Sequence, residues 1–247
     1  MPPSIPKTKS AELMDILNSI KPEEGLSEFK YMRCIRILKE LVLFTPKDQL
    51  KMMRSMVELS VGNLQQAKTL ALKNYETSDN FQVLRNAAYV FQQTMALDMV
   101  VKTMEKIIQI SRKMNIDVRE SLPSSYGLSY FLSGNLGLAH SYYESKETTI
   151  LLEDLEIIQK SLDISNESLK GILQIVHNAV VDNKVRCDSL EYSYIDEEFL
   201  LTIFLHNNND EVSRINAEVA NNCYEAGLLD ELNKISYFFL PSEGKQA

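Results

Sequence analysis

The chain has 247 residues, with 26 Lys and Arg against 34 Asp and Glu, a formal charge of −8 at neutral pH. This balance argues against phosphate-backbone binding as the main task, because non-sequence affinity for nucleic acid comes from concentrated positive charge. Apolar residues at 45% suit a globular chain, while 8 glycines and 7 prolines leave few of the tight turns that an all-strand fold needs, so an all-α reading leads.

Residues 1–10 are polar and proline-rich and are expected to be a disordered lead-in. Leu13, Met14, Ile16, Leu17 and Ile20 then follow helical spacing until KPEEG interrupts them. From Ser27 to Phe44, the residues Phe29, Met32, Ile35, Leu38, Leu41 and Val42 form one apolar stripe. Thr45, Pro46 and Asp48 form a helix start, with Thr45 as cap, and Gly62 ends that helix. A second helix begins near Leu64, so two helices joined by so short a turn must fold back on each other. Further helices are expected over 81–93, from 97 to about 115, over 124–133 and 136–146, over 147–162, and over 166–181. DNKVRCDSLEYSY is the least periodic inner stretch. IDEEFLLTIFLHN reads as another helix capped by Asp196, and Gly227 divides the last two helices before a loose tail over 241–247. Residues 11–240 thus read as one helical domain.

No apolar run approaches the roughly 20 residues needed to cross a bilayer, and the N-terminus lacks the apolar segment and cleavage site of a signal peptide. The chain is therefore expected in the cytoplasm. Cys34, Cys187 and Cys223 are widely spaced and read as buried thiols.

SVGNLQQAK and SGNLGLAH share the pattern G-N-L-x-x-A at Gly62 and Gly134. In a helical hairpin the glycine leaves the first helix in a left-handed conformation, the leucine opens the apolar face of the second, and Ala67 or Ala139 allows close approach. On Gly62, Asn63, Ala67, Gly134, Asn135, Ala139 and Tyr143, and more weakly on EAGLLDEL, the chain resembles the tetratricopeptide-like class of helical hairpin repeats. The resemblance implies a right-handed superhelical stack of antiparallel hairpins, with an irregular helical bundle as the alternative. The middle copy expected near residue 98 reads TMALDMVVKTM and has no glycine.

Motifs that carry chemistry are missing from the sequence. His140, His177 and His206 have no partner at metal-ligand spacing and read as unrelated structural or surface residues. Glu23-Glu24 and Glu197-Glu198 fall at turns or helix starts, where helix ends explain them. The sequence has neither a nucleophile elbow nor a phosphate-binding glycine loop, so no catalytic residue, metal ligand or cofactor is assigned.

Aromatics concentrate mid-chain. In stacked hairpins the first helix of each unit lines the concave face, which selects Asn86, Tyr89, Gln93, Tyr126 and Tyr130 as candidate peptide contacts. The leading expectation is a non-enzymatic protein- or peptide-binding module, acting as an adaptor, client chaperone or regulatory subunit. Overall charge favours a basic or amphipathic segment as partner. A small-ligand or signal-peptide sensor is the second reading, and an all-helical enzyme the third.

Overall fold

The computed structural model describes residues 8–20, 26–118, 122–144, 149–195, 198–206 and 209–242. The start of the lead-in, Glu23-Glu24, the Asp196 cap with Glu197, and most of the expected tail lie outside them. Among the described residues ten α-helices come first: α1 (Lys9–Asn18), α2 (Glu28–Leu41), α3 (Lys47–Ser60), α4 (Leu64–Thr77), α5 (Phe81–Gln93), α6 (Leu97–Met114), α7 (Gly127–Leu132), α8 (Ala139–Glu144), α9 (Thr149–Leu162) and α10 (Asn166–Asp182). The chain then forms β1 (Cys187–Ile195) and β2 (Glu198–Leu205), passes through α11 (Asn209–Glu225) and α12 (Leu229–Lys234), and ends in β3 (Ile235–Pro241).

The fold is therefore mostly helical with a genuine three-stranded sheet, which overturns the all-α expectation. β2 is the central strand, antiparallel to β1 and parallel to β3, with α11 and α12 forming the crossover. Phe199, Leu201, Ile203 and Leu205 are buried at alternate positions, as are Ile235, Tyr237 and Phe239, and this period of two is that of a strand. The segment FLLTIFL is apolar but for Thr202, so its spacing fits a helix or a buried strand equally well; its aromatic and branched residues favour the strand. Asn216 of α11 clasps β3, donating to the Phe239 carbonyl at 3.0 Å and accepting from the Phe239 amide at 2.9 Å.

The tetratricopeptide-like reading fails as well. Helices α3 and α4 each run 14 residues, whereas α7 and α8 run 6 each, and short 3-10 turns precede both. The G-N-L-x-x-A echo marks a helix stop that recurs at uneven intervals. Gly62, Gly134 and Gly227 take positive φ, and so do Met95, Asn115 and Lys184. In each case the next residue's amide bonds the carbonyl five places back: Asn63 to Glu58, Ala96 to Phe91, Ile116 to Ser111, Asn135 to Tyr130, Val185 to Val180, and Leu228 to Cys223. This is the Schellman closure of a helix C-terminus. At Met95 it supplies the cap that lacked a glycine. Gly134 has a second constraint, because a Cβ there would come within 2.6 Å of the Asn166 carbonyl oxygen.

Apolar packing divides in two. Leu13, Ile16, Leu26, Cys34, Ile37, Leu38, Leu41 and Val57 form an N-terminal cluster of α1 and α2 on α3. The main core runs from Met52 to Phe239 and takes in residues from both helices of the α3–α4 hairpin and the inner face of the sheet. All three cysteines are free and buried.

Candidate functional site

The five residues selected from the sequence do not share one exposed face. Tyr126 is 3% and Tyr130 0% exposed, and the Tyr130 hydroxyl donates to Glu105 Oε1 at 2.8 Å. Gln93 is buried, with its Nε2 at 3.5 Å from the Asp188 carbonyl. Only Tyr89, at 37%, is exposed, and Asn86 is half-buried. A stripe on α5 and α7 must cover the main core, so aromatics at helical spacing there are drawn inward.

A large apolar surface lies instead at the N-terminal end. Phe29 is 79% exposed and Met32 59%, and both project from the outer side of α2; Leu43 and Phe44, in the turn after it, are 85% and 83% exposed. Phe29 and Met32 belong to the apolar stripe of the sequence, but nothing among the described residues covers them. α2 carries apolar residues around most of its circumference, and α1 and α3 cover only the side bearing Cys34, Ile37, Leu38 and Leu41.

Next to this face, α2 and α3 enclose a groove of about 340 Å³, open to solvent. Its floor is Ile35, Leu38, Val42, Leu50 and Leu70, and its rim carries Lys39, Lys47, Lys51 and Arg54. Pro46 precedes α3 and fixes the turn out of α2; Thr45 makes no side-chain cap, contrary to the sequence reading. Asp48 instead accepts the Ser78 hydroxyl at 2.6 Å, and that hydrogen bond holds its carboxyl below the usual range while tying α3 to the turn before α5.

The groove wall is braced from behind by a buried carboxylate. Glu58, 2% exposed, accepts from Arg54 at 2.5 Å, from Asn63 Nδ2 at 2.7 Å and from the Tyr31 hydroxyl at 3.3 Å. Asn63 thus has a role that its turn position did not reveal: it satisfies the acid that anchors Arg54. Arg54 also lies over the Tyr31 ring, 5.7 Å from its centre. Lys39, Lys47 and Lys51 have no such restraint, and among the described residues none of them forms an ion pair. In a chain of charge −8, the groove is a local cationic rim over an apolar floor.

Among the described residues no group of three or more His, Cys, Asp and Glu is placed to hold a metal, and no helix is long and apolar enough to cross a membrane. No family model, curated protein or solved structure matches the chain.

Proposed function

We propose that the protein is a binding module that docks an acidic amphipathic helix of a partner protein in the α2–α3 groove. The observation that carries this reading is the pairing of an apolar floor with three rim lysines that form no ion pair among the described residues. A helix laid in such a groove inserts apolar side chains at i, i+3 and i+7 and sets flanking carboxylates against the rim. The local field reverses the partner charge expected from composition: mean charge is negative, but the charge beside the apolar floor is positive.

The test is a selection from displayed helical peptides with a fixed leucine stripe and randomised flanking positions, followed by binding to the full chain. Binders should be enriched in Asp and Glu and should bind poorly to a Val42→Glu variant, a substitution at an exposed position of the groove floor. Enrichment of Lys and Arg, or binders indifferent to that substitution, would remove the proposal. So would avid binding to phosphatidylserine vesicles with no selectable peptide, which would make the exposed aromatics a membrane contact.

A further inference from the structure

A second cavity, of about 480 Å³, opens among α4, α6 and α10, away from the α2–α3 groove. Leu72, Met99 and Leu173 form its accessible apolar wall, with Phe91 and Met95 fully buried behind them. Lys68, Lys102 and Lys170 also line it, against the single carboxylate Asp98. Asp98 pairs with Lys102 at 3.2 Å, near the solvent. Lys68 is half-buried, and among the described residues neither Lys68 nor Lys170 forms an ion pair.

Lys68 is held by an unusual partner. Its Nζ lies 2.6 Å from His177 Nε2, while His177 Nδ1 lies 2.5 Å from the Thr94 carbonyl oxygen. A carbonyl can only accept, so Nδ1 carries the proton and Nε2 accepts from the ammonium. The Thr94 carbonyl is itself fixed by the left-handed turn at Met95. An ammonium has three donors, and His177 takes one of them.

We infer that this cavity binds a small molecule with an oxyanion head, a carboxylate or phosphomonoester, on a short apolar tail, with Lys68 as the inner donor. The tail lies against Leu72, Met99 and Leu173, and Lys170 adds positive charge at the wall. Burial pushes the Lys68 amine below its ordinary range. An anion placed beside it offsets that desolvation and strengthens with the low local dielectric. A cavity of this size is within the ordinary range for small-ligand sites.

The inference is independent of the groove reading, and calorimetric titration of the full chain with octanoate, octyl phosphate and octanol tests it. Octanoate or octyl phosphate should bind, with the preferred head identifying the anion class, and octanol should bind at least tenfold more weakly. Lys68→Met should weaken anion binding at least tenfold. Asp98→Asn should tighten it severalfold by removing the opposing carboxylate, a gain that misfolding cannot produce. A Lys39→Glu, Lys47→Glu, Lys51→Glu variant should leave it unchanged. Octanol binding as tightly as octanoate, undetectable anion binding, or loss only in the groove variant would overturn the inference.

Discussion

Lys68 on α4 and His177 on α10, 109 residues apart in sequence, meet at 2.6 Å, and the histidine has to be neutral for the contact to exist. Burial, with a smaller contribution from the Lys68 ammonium, pushes the imidazole below its ordinary value of 6.5. The unfolded chain takes up a proton near that ordinary value, while the folded chain resists it. The stabilisation is therefore complete above pH about 6.5 and is lost as pH falls through the lower folded value. His206, lowered by its own burial and by Arg186, adds a fall of the same sign. Thermal melts across this range should show the wild type losing midpoint on acidification, with a smaller loss in His177→Gln. Parallel curves for the two proteins would show that the contact tolerates a charged imidazole.

Ala67 is fully buried where α3 meets α4, and Ser55 donates to its carbonyl at 2.7 Å. Ala67→Leu should cost about 1 to 3 kcal/mol by overpacking. Gln66→Leu, on the exposed side of the same helix, should shift a urea midpoint little. Lys68 would be a poor control despite adjoining Ala67, since it holds His177. Equal midpoints for the two leucine variants would mean that the crossing has spare volume.

Lys184 and Met95 both hold φ near +55° as helix stops, but Lys184 is exposed and Met95 fully buried. A left-handed residue with a Cβ is strained by about 1 to 2 kcal/mol, so Lys184→Gly should raise stability by about 1 kcal/mol after glycine's entropic cost. Met95→Gly loses buried volume and should lower it by about 2 kcal/mol or more. Denaturant titrations moving both variants in the same direction would contradict this division.

The sequence reading was most successful where a single helix carries its own punctuation. The Gly62 stop and the Phe81–Gln93 helix stand as read, and the helix after Pro46 starts within a residue of its expected place, with Pro46 rather than Thr45 as the cap. It failed where tertiary context chooses. Phe199–Leu205 fits either period, and only pairing with β1 and β3 makes it a strand. Met95 and Lys184 take conformations that a glycine would announce, but without the glycine. The groove is not legible in the sequence because Ile35, Leu38 and Val42 fall on a good helical stripe, and periodicity shows that a face is apolar without showing whether anything covers it. No local pattern joins Lys68 to His177.

Tyr130 tests which aromatics belong to the core. It is fully buried, and its ring lies 5.4 Å from that of Tyr142. Tyr130→Ala should cost about 3 to 5 kcal/mol, and Tyr130→Phe about 1 kcal/mol for the lost bond to Glu105. Near-wild-type melting of the alanine variant would place this tyrosine outside the packing that holds α6, α7 and α8 together.

The groove assignment is tested most directly by charge exchange, measured as the affinity of one selected acidic helical peptide for two forms of the chain. Lys47→Glu with Lys51→Glu reverses half the rim without touching the floor or the Glu58 brace. The acidic peptide should lose at least tenfold in affinity for this variant, and the same peptide with its acids replaced by lysines should regain most of that loss. Unchanged affinity of the acidic peptide for the reversed rim would contradict the account.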